Sequence, residues 1–329
     1  MTKPIRALLT LASAVVAIAC QPAAAQTATP VVAPDYVASY SLLDLGVASG
    51  VTGSRGGLAF LAGNPDTLLI GGNANGPNGT IYSIGLVRDS DGHITGFDGG
   101  ASMFASAPEI DGGLAYGPGG VLFYTGYNEN LLGQIKPGST APDKVISLGP
   151  LGVERSVGTL NFVPTGFTGT GEIRLMSYNT SAFYTASLTP DGSGTYDIGN
   201  IVKRTSLPGA GPEGLVYVPT GSALFPDPTV LVTEFGKSEV AAYDLDPDGI
   251  PVYASRRTFV SGLSGAEGGA IDPVSGDFVF STFGTANQVV VVGGFLPPVP
   301  EPASWLMLSL GLAVIGMTAV ARGKVRRAD

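Results

Sequence analysis

A short apolar motif returns five times at nearly even spacing, and no other feature of the chain restricts its fold so tightly. Gly57-Leu58-Ala59-Phe60 recurs as Gly113-Leu114-Ala115-Tyr116, Thr159-Leu160-Asn161-Phe162, Gly214-Leu215-Val216-Tyr217 and Gly268-Gly269-Ala270-Ile271, at intervals of 56, 46, 55 and 54 residues. Each copy is followed by a turn containing Pro or Gly and then by a second β-rich run, at 68–70, 121–125, 173–177, 230–233 and 278–282. A third and a fourth run complete the unit, as in Val240-Ala241-Ala242-Tyr243 and Arg257-Thr258-Phe259-Val260. Four short strands in a repeat of roughly fifty residues is the pattern of a β-propeller blade.

The expected fold is therefore all-β, a propeller of about five four-stranded blades over residues 37–296. The alternatives are a six-bladed ring with one degenerate blade and, less in keeping with the repeat, a β-sandwich. The inner runs are apolar at consecutive positions, as in Leu215-Val216-Tyr217-Val218, which suits sheets packed on both faces. Glycine at the start of the innermost strand permits close backbone approach near the axis. No stretch between 37 and 296 keeps a helical period. After Gly268 the last unit supplies only three strands, ending at Gln288–Val292, while Ala38–Leu45 stands alone before the first unit. That orphan strand is expected to fill the fourth position of the last blade and so close the ring.

In outline the repeats resemble the NHL and SMP-30/gluconolactonase-like propellers, most closely at Pro212-Glu213-Gly214-Leu215 and Asp272-Pro273-Val274-Ser275-Gly276-Asp277. SMP-30-like enzymes hold a divalent metal at one channel mouth, where it polarises a lactone or ester carbonyl. The resemblance implies Glu213 and Glu267, which precede the innermost strands of blades four and five, as candidate ligands, with Glu234 nearby. Calcium would be the cofactor in that case; no motif of the chain demands one. Blades one to three offer Gly56, Gly112 and Gly158 at the matching place, so the other reading is that both glutamates are solvated loop carboxylates.

The two ends carry addresses rather than fold. Lys3 and Arg6, an apolar run over 7–19 and Ala23-Ala24-Ala25 before Gln26 form a secretory signal over 1–25, cleaved by signal peptidase. Cys20, the only cysteine, also partly fits a lipoprotein cleavage site; if cleavage comes after Ala25, the mature chain has no thiol and no disulfide. Residues 26–36 read as a linker. At the other end, a linker over 297–304 contains Pro300-Glu301-Pro302 and leads into seventeen uncharged residues, 305–321, expected to form a transmembrane helix. Trp305 suits the outer interface, and Arg322, Lys324, Arg326 and Arg327 hold the tail, 322–329, in the cytoplasm.

Pro-Glu-Pro, an apolar span and an Arg-rich tail resemble the PEP-CTERM sorting signal of exopolysaccharide-producing Gram-negative bacteria. The resemblance implies that Pro300, Glu301 and Pro302 are read by a membrane-embedded exosortase. The protein would be anchored in the inner membrane, then released or transferred to the cell surface or extracellular matrix. Such signals sit on otherwise unrelated proteins, so activity must be read elsewhere.

Without the two ends, 11 cations face 24 acids, a balance that repels nucleic acid and anionic lipid headgroups. His93, the only histidine, lies in the turn Asp89-Ser90-Asp91-Gly92-His93, and there is no G-x-S-x-G elbow, P-loop or His/Cys zinc set. Asp244-Leu245-Asp246-Pro247-Asp248-Gly249 has acids at alternate positions, but Ser255 replaces the bidentate Glu of a calcium loop, and the segment reads as a turn. The leading expectation is a non-enzymatic surface or matrix protein that binds or builds, with extracellular polysaccharide or envelope proteins as partners. The competing one is a calcium-dependent lactonase or esterase-like propeller.

Overall fold

The computed structural model describes residues 29–297. The signal over 1–25 with Cys20, the Pro300-Glu301-Pro302 motif, Trp305, the expected helix and the cations Arg322, Lys324, Arg326 and Arg327 lie outside the described residues. Within them, no helix is long and apolar enough to cross a membrane, and helical geometry is confined to short 3-10 turns such as Pro118–Gly120.

Twenty-one strands form five sheets, one per blade. Two strands precede the repeats, β1 (Val31–Val32) and β2 (Ser41–Val47). Blade one holds β3 (Leu58–Leu61), β4 (Asn64–Gly72), β5 (Thr80–Arg88) and β6 (Ile94–Ser106). Blade two holds β7 (Ile110–Tyr116), β8 (Leu122–Gly126), β9 (Leu131–Ile135) and β10 (Lys144–Ser147). Blade three consists of β11 (Val157–Phe162), β12 (Ile173–Ser177), β13 (Ala182–Pro190) and β14 (Tyr196–Ser206). Blade four contains β15 (Pro212–Tyr217), β16 (Thr229–Glu234), β17 (Glu239–Asp244) and β18 (Arg257–Ser261). Blade five has β19 (Ala266–Ile271), β20 (Phe278–Thr282) and β21 (Gln288–Gly293). The ring has five blades, not six, and every recurrence of the motif starts or lies in an innermost strand.

Consecutive apolar residues on each strand serve two cores at once, because side chains alternate faces. Val216 joins the cluster between blades four and five, with Phe259 and Phe280, while its neighbours Leu215 and Tyr217 join the cluster between blades three and four, with Met176 and Phe183. Three further clusters fill the remaining junctions, including one between blades five and one that packs Val279 and Val291 against Leu58 and Ile70. The core is thus a ring of five wedges.

Closure comes from the amino-terminal strand. β2 pairs antiparallel with β21, Leu42 opposite Val292 and Asp44 opposite Val290, and supplies the missing outer strand of blade five. Polar links reinforce the same junction: Arg88 forks onto both carboxylate oxygens of buried Asp272 (2.5 and 3.0 Å), and Asp277 receives the Ile94 amide (2.9 Å). One detail differs from the sequence expectation. Part of the segment read as linker, Val31–Val32, pairs with β18 as a fifth strand on blade four, too short a run for any period to reveal. Between β1 and β2 the chain crosses from blade four to blade five over an aromatic cluster. Tyr36 meets Phe259 edge-on at 5.0 Å, and Tyr40 lies 4.6 Å from Phe295.

Phe259 is fully buried at the centre of that cluster. Phe259→Ala is expected to cost about 3–5 kcal/mol through the cavity it leaves. Thermal melting should then show Tm lower by roughly 10 °C, at about 2–4 °C per kcal/mol. An unchanged Tm would mean that the amino-terminal crossing does not contribute to closure.

Candidate functional site

Where the innermost strands begin, the axis is so crowded that backbone meets backbone. A Cβ on Gly112 would lie 2.0 Å from the carbonyl oxygen of Glu213, and one on Gly158 2.2 Å from that of Pro212. One on Gly268 would lie 2.4 Å from Gly57 Cα. Hydroxyls bridge the junctions: Thr125 Oγ1 donates to the Gly158 carbonyl and Ser281 Oγ to that of Gly56, both at 2.8 Å, and Thr233 Oγ1 donates to that of Glu267. A backbone bond from Gly57 to the Asp111 carbonyl joins blades one and two (2.8 Å).

Three acids enter this ring through β-bulges. Asp111 lies in the irregularity of β7 between Ile110 and Leu114, Glu213 in that of β15 between Pro212 and Gly214, and Glu267 in that of β19 between Ala266 and Gly269. A bulge turns a side chain out of the normal alternation. Here it brings one carboxylate from each of three blades together, with one oxygen from each lying within 4.8 Å of the other two. The residues are only 0%, 3% and 1% exposed, so Glu213 and Glu267 are not the solvated loop carboxylates that a mouth position would suggest.

Four oxygens of the cluster are buried without a hydrogen-bond partner: both of Asp111, Oε2 of Glu213 and Oε1 of Glu267. Burial pushes all three carboxyls well above the usual carboxylate range, and the neighbouring charges of Asp111 and Glu267 push Glu213 further. The side chain of Asn75 lies against Asp111 and eases its ionisation; the Asn75 amide oxygen is itself buried and unpaired.

An arc of aromatic rings lies at the same mouth. Tyr127, Tyr178, Phe235 and Phe283 each come directly after the second strand of their blade, with Asn73 at the equivalent place in blade one. Successive rings meet edge to face at 6.5, 5.7 and 6.0 Å. Their backbones are pinned alike, each amide bonding the residue that lies two positions before the axial bulge or its equivalent, as Tyr178 to Ser156 (2.7 Å) and Phe283 to Gly265 (2.8 Å). Burial raises the phenol of Tyr178, and the neighbouring Glu213, Tyr127, Glu267 and Asp111 raise it further.

The other residues noted in the sequence are engaged elsewhere. Glu234 faces into blade four, held by Arg256 (2.5 Å to Oε2) and by the Tyr243 hydroxyl, away from the three acids. His93 caps a turn and contacts Asp277 through Nδ1 (2.8 Å), at the outer edge of the junction between blades one and five. The Asp-rich segments are turns: Asp246 Oδ1 accepts the amides of Asp248 and Ile250, and Asp89 Oδ1 those of Asp91 and His93. Sequence reasoning missed Asp111, although Asp111-Gly112-Gly113 and Glu267-Gly268-Gly269 are the same acid-Gly-Gly pattern.

The opposite ends of the innermost strands open into a funnel of about 340 Å³. Its wall is mostly apolar and aromatic, with Phe60, Tyr116, Phe162, Phe167 and Tyr217 drawn from four blades and Ile271 from the fifth, and also carries the polar Asn161, Thr165 and Thr220. Its inner end reaches Leu114, Val216 and Gly269, two or three residues along the strands from the acids, about 7–10 Å at ~3.3 Å per residue.

Residues 298–327 match the model of the PEP-CTERM protein-sorting motif. No curated protein matches the chain. Among solved structures it is similar to the PQQ domain of a pyranose dehydrogenase from Coprinopsis cinerea, at 9% identity and a TM-score of 0.45, over 80% of this chain and 97% of that one. It is also similar to the aldose sugar dehydrogenase of Streptomyces coelicolor, at 12% identity and 0.39 over 77% and 97%. A third is virginiamycin B lyase of Staphylococcus aureus, at 14% and 0.38 over 77% and 99%. The chain thus joins a five-bladed propeller to a PEP-CTERM sorting signal, which implies export, anchoring through the carboxy-terminal segment and processing by an exosortase.

Proposed function

We propose that this is a non-enzymatic protein of the cell surface or extracellular polysaccharide matrix, whose propeller is locked at its axis by a divalent cation on Asp111, Glu213 and Glu267. The signal over 1–25, cleaved by signal peptidase, and the helix over 305–321 with its basic tail serve its transit. The observation that carries the cation reading is the convergence of three buried carboxylates, four of whose six oxygens lack a hydrogen-bond partner. Such groups are costly unless a proton or a cation neutralises them. Oxygens within 4.8 Å of one another can share one cation, and an all-oxygen set of carboxylates suits a hard ion such as calcium, which binds its ligands at about 2.3–2.6 Å. Asn75 offers a neutral oxygen beside Asp111. With one ligand each from blades two, four and five, the ion would tie the ring across its axis.

A calcium-dependent lactonase or esterase-like activity is the second reading, since a cation on these acids could polarise a carbonyl. The near-complete burial of the three acids and the engagement of His93 with Asp277 favour the structural role.

Three outcomes are expected. Calcium at a hundredfold its Kd should stabilise the protein by about 2.7 kcal/mol, read as a Tm rise of roughly 5–10 °C. Chelator should reverse it, and Glu213→Gln or Glu267→Gln should abolish it; a wild-type Tm indifferent to calcium refutes the site. Hydrolysis of ester or lactone probes that disappears in Glu213→Gln would instead favour the enzyme.

The raised carboxyls also set a pH dependence. Without cation, the folded protein keeps protons that the unfolded chain releases near pH 4. The stability this contributes is full below that range and is lost as pH rises through the raised values. Melts between pH 5 and 8 should show wild type losing stability relative to Glu213→Gln, and calcium should raise the wild-type Tm more at pH 8 than at pH 5. Parallel curves would contradict a cluster that holds protons in the absence of cation.

For the sorting signal, Glu301→Ala should leave the chain membrane-bound and at full mass on fractionation. Removal of 298–329 should yield soluble exported propeller. A processed Glu301→Ala protein would show that this residue is not read.

A further inference from the structure

The point at which the sorting segment leaves the propeller gives the apolar funnel an occupant. Leu296 and Pro297, both exposed, pass between two loops that continue the innermost strands of blades four and five. The Leu296 amide bonds Ser222 Oγ (3.2 Å), and Leu296 Cδ1 is 3.4 Å from where a Cβ on Gly221 would stand. On the other side a Cβ on Gly276 would lie 2.3 Å from the Leu296 carbonyl oxygen and 2.8 Å from Pro297 N. The same loops supply Pro219, Thr220 and Pro273 to the funnel wall. The chain is therefore released at the funnel's rim, and not at the acid mouth.

Beyond the rim the sequence continues as Pro298-Val299-Pro300-Glu301-Pro302-Ala303-Ser304-Trp305. Alternating prolines restrict a segment to the extended polyproline form and lower the entropy lost on docking. Aromatic-lined grooves are the surfaces that take such segments. From Pro297 to Pro302 the chain can advance about 15 Å at ~3.1 Å per residue, enough to reach from the rim across the opening. Because the segment is tethered, its effective concentration at the funnel is of millimolar order, so modest affinity suffices.

We infer that residues 298–304 dock in the funnel formed by Phe60, Tyr116, Phe162, Phe167 and Tyr217, so that the propeller masks its own Pro300-Glu301-Pro302 motif. The motif is then accessible to a processing enzyme only in the undocked fraction. This inference is independent of the cation at the other end of the axis.

Disulfide trapping tests it on the mature chain, 26–329, in detergent micelles, since no native cysteine remains after residue 25. Ala115 lies in the funnel wall, and Asn128 is next to Tyr127 at the opposite mouth. Ala303→Cys paired with Ala115→Cys should oxidise to an intrachain disulfide, while Ala303→Cys with Asn128→Cys should not. Replacing Pro300 and Pro302 by Gly in the first pair should slow the reaction at least tenfold, and wild-type-like melting of each variant controls for folding. A rate unaffected by the glycines would reduce the contact to mere tethering and overturn docking. Disulfides formed between chains would assign the funnel to the segment of a second copy, and absence of any disulfide with Ala115→Cys would leave the funnel to another ligand; either result overturns self-docking.

Discussion

Five strands can share one axis here only because the residues that meet there have almost no side chains. Gly57, Gly112, Gly158, Gly214 and Gly268 let neighbouring blades touch through backbone, and a methyl group at any of them would collide with a carbonyl, a Cα or a side chain at under 3 Å. That closeness puts hydroxyls such as Thr125 and Ser281 within reach of carbonyls across the junctions. It also excludes side chains from the axis except where a bulge admits them. The acids sit at those bulges, so their convergence and their desolvation have one cause. The two mouths also differ chemically: buried carboxylates beside an aromatic arc at one, a mostly apolar funnel at the other.

The architecture was legible because the period of the repeat is imposed by packing. Leu215, Val216 and Tyr217 must all be apolar when both faces of a blade are covered, and this leaves a trace that needs no partner to be recognised. Closure was legible for a similar reason: an unpaired strand before the first unit and a missing one in the last are complementary deficits, and β2 resolves both.

The site was half legible. Glu213 and Glu267 stand out because they precede similar strands, but in a register set by Gly113 and Gly268 the position matching them in blade two is Gly112, and Asp111 falls one residue short. The irregularity in β7 spans Ile110 to Leu114, whereas that in β15 spans only Pro212 to Gly214. A bulge adds residues without changing the apolar pattern after it, so it is invisible to a period. Burial was illegible too, because it arises only where the innermost strands of different blades meet at the axis, as Glu213 does against Gly112 and Gly158.

The placement of β2 has a bearing on what can be cut away. Blade five is completed by a strand made at the start of synthesis, so no ladder runs through the chain between Gly293 and Pro297. A protease acting after Pro297 severs a leash and not a hinge. The released body keeps every rung it had before, and maturation can be irreversible for the address while costing the fold nothing.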